Sequence, residues 1–440
     1  MDSFFSPDGV AVVGASASPG KIGHEIFKNV LATAPHAYPV NPSTDAVLGR
    51  QCYPAVSNIP GEVDLAVVAV PPQLVPDIVD DCGKKNVSAI IVISGGFKEV
   101  GNKVLEQDML TRARRHGIRI VGPNCIGVFN GATGFNTFFQ QDMELPGTGP
   151  VAVLTQSGTV GIGLLETCSD IGVSKFVSYG NAADVNEREL LSYLANDDAT
   201  DVIAMYLEGI QDGRALFETL PSKPVVILKA GRTPSGKTAA ASHTGAMATH
   251  QALFEGAARQ YGAIIADSFE ELHDLASLLA LQPLPEGGNI AMITNGAGPC
   301  VLAADSIHES RHLRLADVDA SHLEGLPSFV IRGNPVDLTG SATARHFLDG
   351  IKALLRDDDV DIVMPFFVFK DVPLLDTLEE LYEGLASLDA SKPIVAVALG
   401  SRFVEEQQRR MLKLGVPLIT EPSRAVAALD KLVWYAGWQR

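Results

Sequence analysis

The chain has 440 residues, a length that suggests about three domains, with 46% hydrophobic and 20% charged residues and a formal net charge of −18. So large a surplus of carboxylates works against nucleic acid or an anionic membrane as a partner, since both need clustered Lys and Arg. Five scattered cysteines (Cys52, Cys82, Cys125, Cys168, Cys300) without CxxC spacing point to reduced thiols and no metal site, and no apolar run approaches the ~20 residues that span a bilayer, so a soluble cytoplasmic protein is expected.

The first predicted strand, residues 9–13, ends in a turn running from Gly14-Ala15-Ser16 to Gly20-Lys21, and residues 24–31 follow with helical periodicity. Strand, glycine-rich turn and helix place backbone amides where an anionic pyrophosphate can dock. A nicotinamide enzyme is disfavoured, because the turn is not GxGxxG and Val40-Asn41-Pro42 stands where a carboxylate would hold the ribose hydroxyls. Further apolar runs break into Val70-Pro71-Pro72, into Ser94-Gly95-Gly96-Phe97-Lys98-Glu99 and into Gly122-Pro123-Asn124-Cys125, with helical stretches between them. Repeated βαβ units predict a doubly wound parallel sheet whose strand ends share one crevice.

Residues 140–149 read as a linker, after which a strand at 150–154 feeds Gln156-Ser157-Gly158-Thr159 and a helix. Those residues are either a phosphate cradle at a helix N-terminus or an ordinary Ser cap. A third strand of this unit, residues 202–207, ends at Glu208, either a solvated turn residue or a carboxylate that fixes the tautomer of a histidine. The strand at 223–230 opens into a long run of Gly, Ser, Thr and Ala in which His243 is the sole nucleophile near neutral pH, unless it merely packs against the next helix. Gly231 to Thr238 also satisfies the Walker A spacing, but residues 239–245 stay loop-like where a P-loop enters its helix at once, and no convincing Walker B follows. An amphipathic helix at 268–281 and a linker at 283–288 lead to a third α/β unit, whose first turn is Thr294-Asn295-Gly296-Ala297-Gly298.

The segment Gly231-Arg232-Thr233 followed by Ser242-His243-Thr244-Gly245-Ala246 resembles the phosphohistidine segment of the α subunit of NDP-forming acyl-CoA synthetases, relatives of succinyl-CoA synthetase. Likeness to that family extends over nearly the entire chain. It implies an α/β chain with a Rossmann-like CoA-binding domain at 1–145, a phosphohistidine-carrying flavodoxin-like domain at 150–283 and a second flavodoxin-like ligase domain at 287–440. CoA contacts are then expected at Gly14, Ala15, Ser16, Gly20 and Lys21, at Val40, Asn41 and Pro42, at Val70 and Pro71, at Ser94, Gly95, Gly96 and Glu99, and at Asn124 and Cys125. Ser43 departs from the family, which often has a Lys there, so Lys21 or a partner residue takes over the CoA phosphates. His243 would carry the phosphoryl group, Glu208 would orient it, and Gln156, Ser157, Gly158 and Thr159 would bind phosphate. No segment reads as an ATP-grasp domain, so ADP/ATP and Mg²⁺ are expected mainly on a separate β subunit in an α2β2 assembly, with no metal held by this chain. Two other readings stay open: a CoA-binding regulatory protein without turnover, and a P-loop NTPase.

Overall fold

In the first sheet, residues of the central strands are buried on both faces, which is why they read as unbroken apolar runs rather than as alternating patterns. The computed structural model describes residues 1–236, 250–400 and 402–440. Strands β1 (Gly9–Val13), β2 (His36–Val40), β3 (Leu65–Val68), β4 (Ala89–Val92) and β5 (Arg119–Val121) form a parallel sheet in the order β2-β1-β3-β4-β5. The chain order reverses between β1 and β3, and ligands of such sheets collect at the carboxyl ends on either side of that reversal. Side chains alternate along each strand. Ala11, Val13, Ala66, Val68, Ile90 and Val92 pack into a core that includes Val75, Val79 and Cys82 of the helix Val75–Lys84 and Met109 and Leu110 of the helix Lys103–His116. Val10, Val12, Leu65, Val67 and Ile91 face the other way, into a core shared with the second sheet.

After β5 the chain does not finish the first sheet. It enters β6 (Gly127–Asn130), which lies antiparallel on the edge of the second sheet beside β8 (Val173–Ser178). That sheet runs β11-β10-β9-β7-β8-β6, with β7 (Val151–Thr155), β8, β9 (Val202–Leu207), β10 (Val225–Lys229) and β11 (Ile264–Ala266) parallel. Its order reverses between β7 and β9, so its own ligand edge follows Thr155 and Leu207.

The two sheets are fastened by backbone bonds resembling a strand ladder. Val185 N donates to Ile120 O at 3.0 Å, Ala183 N to Gly122 O at 3.2 Å and Asn181 N to Pro123 O at 3.0 Å. Arg119 clamps the same segment, with Nε 2.9 Å from Asp184 Oδ2 and NH2 2.7 Å from Glu189 Oε1. Gly180 makes the approach possible: its φ is +52°, and a Cβ there would lie 2.3 Å from the carbonyl oxygens of Pro123 and Asn124.

Two compact units divide the chain, Met1–Asp267 and Ser268–Arg440. In the second, the helix Phe269–Leu281 is capped by Ser268, whose side chain accepts from Glu271 N. It is tied to the helix Pro422–Gln439 by Arg424 to Asp274 and Lys431 to Glu271, both at 2.7 Å. The sheet of this unit has β12 (Asn289–Thr294) between β13 (Arg314–Leu315) and β15 (Ile362–Phe366), then β16 (Ala396–Val397) and β17 (Leu418–Ile419), with β14 (Val336–Asp337) pairing the end of β12. No helix among the described residues is long and apolar enough to cross a membrane.

Gly180→Ala is expected to destabilise the fold by about 1–3 kcal/mol, through a left-handed residue and a clash with two carbonyls. Urea unfolding of the two proteins measures the difference; an unchanged midpoint would show that the backbone at 180 is not under this constraint.

Candidate functional site

At the reversal of the first sheet the carboxyl ends of β1, β2 and β3 enclose a cavity of about 410 Å³. Its lining includes Gly14, Val40, Asn41, Pro42 and Val70, five of the residues expected to contact CoA, together with Leu74 and Ile78. Asn41 holds the mouth in shape, its Nδ2 donating to Ala15 O at 2.8 Å across to the β1 turn. The helix Ile22–Thr33 approaches that turn so closely that a Cβ on Gly23 would lie 2.0 Å from Gly14 O. Around its start, His24 Nδ1 lies 2.8 Å from Ser16 O and Gly20 N donates to Glu25 Oε1 at 3.0 Å. Lys21 stands exposed at the N-cap, and neither it nor Ser16 or Gly20 lines the cavity.

A second cluster sits at the ends of β4 and β5. Ser94 Oγ donates to Val70 O, Asn124 N donates to Ser94 O at 3.0 Å, and Asn124 itself is left-handed at φ 60°. Gly95 is tightly enclosed here: a Cβ would meet Asn124 Oδ1 at 3.0 Å and Glu99 Oε1 at 3.2 Å. Pro71 is exposed on the rim. Cys125 is different: it is buried beneath the turn, its Sγ donates to Val92 O at 3.3 Å, and burial pushes its thiol up to about 12. Its side chain is a packing group rather than a reactive thiol.

On the second sheet, the reversal between β7 and β9 brings Gln156 and Glu208 together. Gln156 Oε1 accepts from Glu208 N at 2.6 Å and Gly209 N at 3.0 Å, while its Nε2 donates to Gly209 O at 2.8 Å. This fully engaged amide joins the two loops. Thr155 Oγ1 donates to Ser157 O at 2.7 Å and accepts from Ser157 N at 3.1 Å, which sets the turn. Ser157 is the N-cap of the helix Gly158–Thr167, accepting from Val160 N, and Gly161 N bonds to Ser157 O. The amides of Gly158 and Thr159 have no partner among the described residues and lie at the positive end of the helix dipole. The cap reading of Ser157 and the cradle reading of the turn are therefore compatible.

Glu208 accepts a hydrogen bond from Tyr206; burial and this neighbouring carboxylate push the phenol up to about 12. Sequence reasoning missed Lys229, which is 4% exposed at the end of β10 and donates to Glu208 O at 2.7 Å and to Ala230 O. It looks like one more strand residue in sequence; its signal is a cation closing an otherwise apolar run. His243 lies outside the described residues.

The two ligand edges face each other. Asn181, from the loop after β8, donates to Glu99 Oε2 at 2.6 Å and to Glu106 Oε2 at 3.1 Å, while Glu99 Oε1 accepts from Gly96 N and Phe97 N. Between them is a cavity of about 100 Å³ lined by Lys98, Gln156, Asn181, Glu187 and Gly209 among others. Burial pushes the Glu187 carboxyl up. Burial acts in the same sense on Glu99, but the bonds from Asn181 and Gly96 outweigh it and hold that carboxyl below its ordinary range. Among the described residues no cluster of His, Cys, Asp and Glu could hold a metal ion.

A carboxyl with a lowered folded pKa stabilises the fold above its unfolded value and loses that contribution as pH falls through the folded value. Glu99→Gln should therefore cost on the order of 1 kcal/mol at pH 7, a partly exposed carboxylate being screened by solvent. The difference should shrink below about pH 4. Thermal melts at the two pH values measure it; a penalty that grows on acidification would contradict this role.

Residues 8–131 match the model of a CoA binding domain, and residues 148–279 that of a succinyl-CoA ligase like flavodoxin domain. The chain is 37% identical to the α subunit of acetate–CoA ligase [ADP-forming] II of Pyrococcus furiosus, over 99% of this chain and 98% of that one. It is 39% identical to acetate–CoA ligase [ADP-forming] I of Archaeoglobus fulgidus over 99% of its own length but only 64% of that longer protein. The dinucleotide-forming acetyl-coenzyme A synthetase 1 of Candidatus Korarchaeum cryptofilum, solved with phosphate and ADP, superposes with a TM-score of 0.88 at 35% identity, covering 100% of this chain and 97% of that one. Matched by relatives of 35–37% identity named as α subunits over nearly the whole length of both chains, the chain belongs to the family of ADP-forming acetate–CoA ligases, in the form of their α subunits.

Proposed function

We propose that this chain is the α subunit of an ADP-forming acyl-CoA synthetase, which converts acyl-CoA, ADP and phosphate into acid, CoA and ATP. The observation that carries this reading is the meeting of the two ligand edges at the Glu99–Asn181 hydrogen bond, which sets a CoA-type crevice against a phosphate-type turn. Three domains, at 1–145, 150–283 and 287–440, divide the work. CoA lies along the carboxyl edge of the first sheet, with part of it in the cavity beside Gly14, Asn41 and Val70 and its thioester reaching the turn at residues 94–99. Phosphate binds at the amides of Gly158 and Thr159, where the helix start favours an anion although the whole chain carries −18.

Phosphorolysis of the thioester then yields an acyl phosphate, whose phosphoryl group passes to His243. Gln156 and Lys229 hold the Glu208 loop by its backbone, and in this reading the carboxylate accepts a proton from one imidazole nitrogen while the other attacks phosphorus. In a cleft closed to water, fixed amides aimed at the phosphoryl oxygens supply most of the stabilisation, as phosphoryl transfer requires. ADP and Mg²⁺ belong mainly to an ATP-grasp β subunit in an α2β2 cytoplasmic enzyme, and the relatives named as α subunits support such a division.

Incubating the α–β complex with acetyl-CoA and labelled phosphate should place acid-labile label on this chain. His243→Ala should abolish it, at least 100-fold below wild type on the scale of losing an essential nucleophile. Label that persists in the variant defeats the phosphohistidine, and CoA binding without any labelling of wild type would favour a regulatory protein.

A further inference from the structure

The small cavity between the two sheets poses an electrostatic problem. Everything that meets there in the proposed reaction is anionic or becomes so: phosphate, the thioester oxygen as it is attacked, and the leaving sulfur. Of the side-chain amides that line it, Gln211 is exposed, and those more deeply set are already engaged. Gln156 is bonded through both ends of its amide to residues 208 and 209, and the Asn181 amide donates to Glu99 and Glu106. Asn186 caps the next helix, accepting from Arg188 N and Glu189 N. Lys98 lines the cavity half-buried, whereas Arg188 and Gln211 are exposed, and among the described residues its ammonium has neither a hydrogen-bond nor an ion-pair partner.

Its backbone, by contrast, is held firmly. Glu99 Oε1 accepts from Gly96 N and Phe97 N on one side, Lys98 N donates to Glu106 Oε2 at 3.4 Å on the other, and Asn181 ties the same carboxylates to the second sheet. A cation mounted on a rigid turn, with no carboxylate partner among the described residues, is the arrangement that preorganised electrostatic catalysis uses. Arg188 also borders the cavity, but it is exposed on the first turn of its helix and is not fastened to the turn that faces CoA.

We propose that Lys98 is a catalytic residue of the thioester-cleaving half-reaction, an inference that rests on the function proposed above. A phosphate oxygen attacks the thioester carbonyl carbon, and the Lys98 ammonium donates a hydrogen bond to the carbonyl oxygen as it becomes an oxyanion. When the carbon–sulfur bond breaks, the electron pair leaves on sulfur and the proton that came with hydrogen phosphate ends on the CoA thiol. Acyl-CoA and hydrogen phosphate thus become acyl phosphate and CoA, with Lys98 charged throughout. The later transfer from acyl phosphate to His243 makes no use of Lys98.

The two half-reactions can be separated by the donor of the label. With the α–β complex, labelled phosphate plus acetyl-CoA tests both steps, whereas labelled acetyl phosphate enters after the thioester has been cleaved. Lys98→Met should slow labelling from phosphate and acetyl-CoA by about 10²–10³-fold, the scale of losing one oxyanion donor. Labelling from acetyl phosphate should stay within about threefold of wild type, with the acetyl-CoA KM changed little, as expected for an interaction made only in the transition state. Lys98→Arg, which keeps the charge, should recover part of the rate and guards against a folding defect in the Met variant. Equal slowing from both donors, or no slowing from either, overturns the role of Lys98. Failure of wild type to be labelled from either donor would instead bring down the function on which it rests.

Discussion

The hydrogen bond from Asn181 to Glu99, with the backbone ladder beside it, is the constraint on which the rest of the site depends. Doubly wound sheets each offer a ligand edge at the carboxyl ends of their strands, and this chain has two such edges. Joining residues 120–123 to 181–185 turns the edges toward one another, and Gly180 allows the backbones close enough for those bonds to form. Glu99 then serves two masters, fixing its own turn through Gly96 N and Phe97 N and anchoring the loop of the other sheet.

Rigidity on one side and an anion-seeking helix start on the other suit a reaction with little covalent work for side chains. The Gln156 amide stitches the β7 turn to the loop carrying Glu208, so the helix start at Gly158 and that loop form one structural piece. The third sheet repeats the device: Thr294 Oγ1 accepts from Gly296 N and donates to Gly296 O, as Thr155 does with Ser157, and Asn295 Oδ1 accepts from Val368 N as Gln156 does from Glu208 N. A Thr at the strand end followed by a side-chain amide is thus a local solution for holding a sharp strand-to-helix turn against the neighbouring strand's loop.

Much of this was legible in the amino-acid order. Apolar runs ending in glycine and proline marked the parallel strands, because both features have local causes: burial on two faces, and turns that need unusual backbone angles. Gly14, Asn41, Val70 and Gln156 fall on the expected edges for the same reason. What stayed hidden depends on partners far along the chain. The excursion of residues 127–130 into the second sheet, the Asn181–Glu99 bond across 82 residues and the Gln156–Glu208 clamp across 52 have no local signature. Cys125 reads as one more residue of a ligand turn, yet tertiary packing takes its thiol beneath that turn, and the cation of Lys229 is hidden within a strand pattern.

The most direct test of one shared cleft is a crystal structure of the α–β complex with CoA and inorganic phosphate bound. The CoA sulfur should lie between the turn at residues 94–99 and Gln156, with phosphate on the amides of Gly158 and Thr159. A CoA thiol leading away from that cleft, or phosphate held at a helix start remote from it, would contradict the claim.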